Sequence, residues 1–325
     1  VNSPRDIAAG QADKRDGASR GSAGVVVALD VGGTRIKAGI IGPAHDVLLD
    51  RTRDTGAAEG PDEVTARVLN LVTDLLAEAE AGGHAVDAVG VALPGIVEEA
   101  AGRVVLSANL GWRDLDLAAR LAERTDLPVA IGHDVRAGGL AESVLGAGRQ
   151  CRDLLFLPIG TGIAGAMILD GRPYAAGGYA GEIGHLRVHP DGRPCGCGGR
   201  GCLERYSSAS AIAAAHADRT GEPVSAAEVA ARVAAGDPDA VAVWREAVEA
   251  LAVALAAYAT VCAPELVIVG GGLAGSGELL LEPLRASLAA RLTFQRVPRI
   301  VRAELGDRAG LLGAALLARA STESP

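Results

Sequence analysis

The chain has 325 residues, a formal net charge of −9 and a hydrophobic fraction of 49% with very few aromatics. That length suggests two domains of ordinary size, with cores built from Val, Leu, Ile and Ala. The negative charge argues against a broad nucleic-acid or anionic-membrane surface, and no apolar run is long enough to span a bilayer.

Residues 1–24 are charged and Gly/Ser-rich, and they lack the apolar stretch of a signal peptide. They read as a disordered tail on a cytoplasmic protein, where thiols stay reduced. Order is expected from Val25. A short buried strand ends in Asp30-Val31-Gly32-Gly33-Thr34, and a second strand begins near Ile36. Pro61 to Ala81 is amphipathic, with proline at the first helical position and Gly82-Gly83 as the stop. A strand follows over 85–95, then a helix over 115–125, a strand over 127–134 and a helix over 136–146. Residues 154–171 repeat the opening theme of strand, glycine turn and strand, so the chain reads as two related halves facing a shared cleft. Helices are expected over 208–217, 226–235 and 238–260, then a strand into Gly270-Gly271-Gly272, and a final helix over 310–320. Strands alternate with helices throughout, which makes the class α/β.

Three cysteines fall within eight residues, Cys195, Cys197 and Cys202, and His185 stands ten positions before the first. One imidazole with three thiolates is a closed structural set for zinc. A disulfide-forming loop is the alternative, but a Cys-x-Cys bridge is strained. Asp30, Gly32, Gly33, Thr34 and Lys37 lie in or beside a turn between two strands. A carboxylate there can hold magnesium, and small residues let backbone N–H groups approach phosphate oxygens. Gly160, Thr161 and Gly162 occupy the matching place in the other half. A hairpin needs glycine anyway, so each turn alone has a purely structural explanation. No P-loop is present. Gly270-x-Gly272-x-x-Gly275 fits a dinucleotide fingerprint but lies too near the chain end, and a turn beside an adenosine suits Gly271 and Gly272 better. Asp134 ends a strand, where it can take a proton from an attacking hydroxyl or cap the next helix. Glu182 and Glu204 flank the cysteine loop and suit the hydroxyls of a polyol.

Together these motifs resemble the ROK family of bacterial sugar kinases and sugar-responsive repressors. The matching segments are Asp30–Thr34, Leu93-Pro94-Gly95, Asn109–Trp112, Gly160–Gly162, Glu182–His185 and Cys195–Glu204, in family order over about residues 25–320. The resemblance implies a two-domain actin-like ATPase fold (ribonuclease H-like) with a cleft between the domains and a structural zinc loop. The smaller domain would take 25–133 with the C-terminal helix 311–320, and the larger 134–310. Hinges would lie near 132–136 and 305–312. It further implies ATP and Mg2+, structural Zn2+ on His185, Cys195, Cys197 and Cys202, and Asp134 as general base. The acceptor would be a hexose, amino sugar or sugar-like cyclitol, phosphorylated by default at its 6-hydroxyl. Gly95, Asn109, His133, Glu182, His185 and Glu204 would line the sugar site. Partners would be the sugar and ATP, with neither nucleic acid nor membrane, in a dimer or tetramer. A polyphosphate donor, a sugar-responsive regulator and a non-catalytic sugar-binding protein are the alternatives. One departure stands out: the family pattern Asn-Asp-x-Asn reads His133-Asp134-Val135-Arg136 here. His133 changes what meets the sugar, and Arg136 is free to pair with a carboxylate, approach a phosphate or favour the charged form of Asp134.

Overall fold

A computed structural model describes residues 24–323. The expected tail, apart from Gly24, lies outside the described residues.

The first half is a five-stranded sheet. Strands β1 (Val25–Val31), β2 (Arg35–Ile41) and β3 (Val47–Asp54) form an antiparallel meander. Strands β4 (Val86–Leu93) and β8 (Val129–His133) extend it in parallel, giving the order β3-β2-β1-β4-β8. Between them, β5 (Ile96–Glu98), β6 (Arg103–Ser107) and β7 (Trp112–Leu115) make a small separate sheet. Helices α1 (Pro61–Ala81) and α2 (Leu117–Thr125) share the core with one face of β1, β2, β4 and β8.

The second half repeats that topology. Strands β9 (Leu154–Pro158), β10 (Ala166–Leu169) and β11 (Arg172–Pro173) are antiparallel. Strands β12 (Leu266–Gly270) and β13 (Arg299–Arg302) then run parallel to β9, in the order β11-β10-β9-β12-β13. One face is covered by α5 (Ala209–Thr220), α6 (Ala226–Ala234), α7 (Pro238–Cys262) and α8 (Glu278–Ala289). The apolar face of α7 is core, as its composition suggests.

Two helices join the halves. Helix α3 (Asp134–Val144) begins where β8 ends, and α9 (Ala309–Glu323) closes the chain. Ala137 and Ala141 of α3 pack with α9 and the second face of the first sheet. Val135 packs on the second sheet, and Gly138 and Gly139 lie against Phe156 of β9. The helices cross at near backbone contact: a Cβ on Gly313 of α9 would overlap the Ala137 carbonyl. Small residues let backbones approach in this way, and a larger side chain would force the halves apart.

Several elements escape the sequence reading, β11 and β13 among them. β3 is an edge strand with no fully buried residue and four charged ones, Asp50, Arg51, Arg53 and Asp54, so it lacks an apolar signal. The β5–β7 sheet is built from very short strands. α8 carries Pro283 internally, which argues against a helix locally, yet Leu280, Leu281, Leu284 and Leu288 bury it in the core.

Glu142, fully buried in α3, holds the far end of this junction. Its Oε1 accepts from the Leu305 amide at 2.8 Å, and its Oε2 from Ala147 at 3.0 Å and Glu304 at 3.3 Å. The carboxylate thus ties α3 to the segment entering α9. Glu142→Ala is expected to cost on the order of 3 kcal/mol or more of stability, and Glu142→Gln clearly less, because the amide oxygen still accepts. Urea denaturation of both variants checks this.

Candidate active site

Asp134 is the first residue of α3, with His133 at the cap position. His133 makes no side-chain cap, and Asp134 Oδ1 instead accepts from the Val135 amide at 2.7 Å. Burial pushes the Asp134 carboxyl above its usual range, partly opposed by that amide and by Arg136. Raising the pKa of a carboxylate this way makes it a better proton acceptor near neutral pH. His133 Nε2 stands 3.4 Å from Asp134 Oδ1. Burial and Arg136 lower His133 to about 4, so its ring is neutral at pH 7. Its Nδ1 is buried without a partner.

Asp30, near the end of β1, faces the same space. Burial raises it from 3.8 to about 6, with Asp134 adding to the shift and Lys37 opposing it. Gly310 in the first turn of α9 lies against its carboxylate. The helix N-terminus favours negative charge, but desolvation wins. Two facing, dehydrated carboxylates fit a divalent cation, which would relieve both. Lys37 is the cross-strand partner of Asp30, and its Nζ donates to the Asp307 carbonyl at 2.7 Å. Gly32, Gly33 and Thr34 form the turn: Thr55 Oγ1 donates to the Gly32 carbonyl at 2.6 Å, and Asn109 sits beside Gly33.

Asp307 also lines a cavity of about 520 Å³ with Gly270, Gly271, Gly272, Gly275 and Arg302–Glu304. Gly271 has φ 73 and packs on the backbone of Ile159, a conformation and an approach open only to glycine. This is the turn expected beside an adenosine. Gly160 and Thr161 follow Ile159, tied to α5 through the Gly160 and Thr161 carbonyls. The Gly160 N–H donates within the turn to the Gly162 carbonyl at 3.0 Å, and no hydrogen bond to the Asp30 turn is made among the described residues.

The acidic side of the site comes from the cysteine loop. Glu204 opens α4 (Glu204–Ser207), and its Oε2 accepts from the Ile163 amide at 2.9 Å, against Gly162. Glu182 Oε2 is 3.9 Å from His185 Nε2 and close enough to His133 to influence its charge. Gly95 has φ 113 and abuts the Leu106 carbonyl, which gives it a backbone role in the turn into β5.

His185, Cys195, Cys197 and Cys202 bring their ligand atoms within 4.8 Å of one another. Cys197 and Cys202 sulfurs are 3.7 Å apart, and Cys195 Sγ is 3.8 Å from His185 Nδ1. A tetrahedron with ligands about 2.3 Å from its centre has edges of about 3.8 Å, so the spacing fits zinc. It is far too long for a disulfide, and all five cysteines are free. Burial and the neighbouring thiols push Cys202 up to about 12, a state that a bound cation would reverse. Nδ1 faces the sulfurs, leaving Nε2 toward Glu182.

The ROK family profile matches residues 26–321. The chain belongs to the ROK family. A glucokinase of Streptomyces coelicolor is 32% identical, over 91% of this chain and 98% of its own length. An N-acetyl-D-glucosamine kinase of Shigella flexneri is 30% identical, over 89% and 97%. A ROK glucokinase from Streptomyces griseus, solved with glucose and AMPPNP, superposes with a TM-score of 0.78 at 31% identity, covering 91% of this chain and all of that one. A ROK transcriptional regulator, a homologue of E. coli MLC, gives a TM-score of 0.84 at 26% identity, covering 92% of this chain and 78% of that one. The two-domain actin-like ATPase fold expected from the motifs is the fold of this family. No described helix is long and apolar enough to cross a membrane.

Sequence reading missed Glu99, Arg302 and Asp307, because no motif marks them. Arg136 pairs with a carboxylate, Glu99, through Nε at 2.8 Å.

The Asp30 shift has a signed consequence. Between about pH 4 and 6 the folded protein keeps a proton that the unfolded chain has lost, so stability falls as pH rises through that window. Above about pH 6 the penalty is complete. Asp30→Asn, free of nucleotide and metal, should therefore be more stable than the parent near pH 7.5 by about 1–3 kcal/mol, and the two should converge near pH 4. Thermal unfolding at both pH values reads this out. Metal analysis of the purified protein should give one zinc per chain, and Cys202→Ser should lose it and raise the sugar KM while leaving the ATP KM unchanged.

Proposed function

We propose that this chain is an ATP-dependent sugar kinase that transfers the γ-phosphoryl group to the 6-hydroxyl of a neutral hexose, amino sugar or related cyclitol, with Asp134 as general base. The observation that carries the finer reading is the placement of Asp134: a carboxylate raised by burial at a strand–helix junction, within electrostatic reach of Asp30 and beside His133, which Glu182 also influences. The coarser reading, a carbohydrate kinase, rests on family membership and on the glucokinase and N-acetylglucosamine kinase relatives.

The adenosine of ATP would occupy the cavity at Gly270–Gly272 and Arg302–Asp307. Its phosphates would extend toward Lys37 and the Gly32–Thr34 turn, with Gly160–Gly162 on the other wall. Mg2+, held from Asp30, would neutralise phosphate charge. The sugar would lie against Asn109, His133, Glu182, Glu204 and Nε2 of a zinc-bound His185, the metal orienting the ring from its other nitrogen. Asp134 takes the hydroxyl proton as that oxygen bonds to the γ-phosphorus. The bond from phosphorus to the bridging oxygen breaks, and ADP leaves with the electron pair. The larger domain would begin at Asp134 and the smaller would recover α9, so that closure about the α3 and α9 ends excludes water. Such a reaction suits the cytoplasm, where ATP is abundant and thiols stay reduced.

The likeness to a regulator shows that this fold also serves DNA-linked sensing. A base kept in a dehydrated position beside a second carboxylate favours chemistry, since sensing alone has no use for it.

A coupled assay over glucose, mannose, N-acetylglucosamine, N-acetylmannosamine, fructose and cyclitols should reveal ATP-dependent turnover. Asp134→Asn should lose about 10²–10⁴ in kcat while still binding sugar. Turnover like the parent's in that variant would remove the assignment of the base, and no turnover on any acceptor would remove the kinase reading.

A further inference from the structure

Arg136 stands where the family pattern has an asparagine, and its side chain is only 3% exposed. A buried guanidinium must be paired, and its three partners here come from two separate segments, 97–99 and the loop at Gly178. Nε donates to Glu99 Oε1 at 2.8 Å, Nη2 reaches the Val97 carbonyl of β5 and Nη1 the Gly178 carbonyl, both at 3.5 Å. The same Glu99 Oε1 accepts from the His133 amide at 3.2 Å. One carboxylate oxygen therefore holds both ends of the segment His133–Arg136, which contains Asp134. Gly178 belongs to the second half, four residues before Glu182, and it packs closely on the Val97 backbone.

We propose that Glu99 and Arg136 are paired positioning residues of the sugar site: together they fix the His133–Asp134 junction from one side and the loop leading to Glu182 from the other, with the guanidinium held in a buried pairing. The proposal rests on the kinase reading of the cleft for its acceptor, and on contacts alone for the positioning. Three of the five N–H donors of Arg136 are directed at Glu99 and two carbonyls, and its burial beside that carboxylate leaves it unsuited to binding an anionic sugar. Glu99 contributes no atom to the reaction. It acts through the backbone that carries the base. The two residues lie 37 positions apart, and each explains the other: the carboxylate makes a buried arginine tolerable, and the arginine holds that carboxylate against the His133 amide.

The test combines a spectroscopic and a kinetic reading on the full chain. With six histidines in the sequence, isotope-labelled imidazoles can be followed singly, His133 being assigned by its disappearance in His133→Gln. In Glu99→Gln and in Arg136→Gln the His133 signal should move at fixed pH, while His45, His84, His189 and His216 stay in place and report an intact fold. On the best acceptor, kcat should fall by about 10- to 100-fold in each variant with the ATP KM unchanged within about twofold, as expected for a misplaced base. The double variant should lose no more than the worse single, because the two act as one unit. Glu99→Asp, which keeps the charge, should recover part of kcat, and it carries the same spectroscopic test if Glu99→Gln does not fold. An unmoved His133 signal in both variants, or losses that multiply in the double, would overturn the proposal. If the parent protein phosphorylates nothing, the kinase reading falls, while the His133 signal still decides whether the pair positions the junction.

Discussion

Helix α3 is wedged between two sheets, and nearly everything in the cleft follows from how closely it packs. Ala137 and Ala141 meet α9 and the first sheet, while Val135, Gly138 and Gly139 meet the second. Residues with little or no side chain let the backbones touch. The N-terminus of α3 and the end of β1 bring Asp134 and Asp30 near enough for Asp134 to raise the Asp30 carboxyl, burial raises both, and the first turn of α9 packs against Asp30. Two carboxylates kept there cost stability in the empty protein. Under the proposed reaction, a bound cation would relieve Asp30 and a hydroxyl proton would relieve Asp134.

The cysteine loop solves a different problem. A sugar is neutral and small, and its hydroxyls need acceptors held at fixed positions. Glu182 lies on irregular backbone and Glu204 opens a helix of a single turn, α4, so neither is held by a long element. Four ligand atoms within 4.8 Å allow one ion to fix the segment between them. Glu204 is further pinned by the Ile163 amide, so the metal loop and the glycine turn of the second half share one anchor. His185 belongs to both systems, with Nδ1 toward the sulfurs and Nε2 toward Glu182.

The duplication was legible in the sequence because each half opens with the same strand–turn–strand pattern, and the two sheets share one strand order. The motif residues around Asp30, Asp134, Glu204 and the cysteines were legible for the same reason: a turn or a metal demands particular residue types at short spacing. Other parts carry no local signal. Edge strand β3 buries almost nothing, and α8 contains a proline that only tertiary packing overrides. Glu142 reads as an ordinary helical glutamate until its three backbone donors are seen, two of them more than 160 positions away. Glu99 is equally silent, since its value depends on an arginine reached only through the fold. Arg136 was legible as a departure, but its partner was not.

The central claim is that the α3 junction places a base at the acceptor hydroxyl of a sugar held by the zinc loop. Crystals grown with an accepted sugar and a non-hydrolysable ATP analogue test it directly. The account predicts the acceptor oxygen about 2.6–3.2 Å from an Asp134 carboxylate oxygen, with the sugar's other hydroxyls on Glu182 and Glu204. A sugar bound with all its hydroxyls beyond reach of Asp134, on a loop holding no metal, would contradict it.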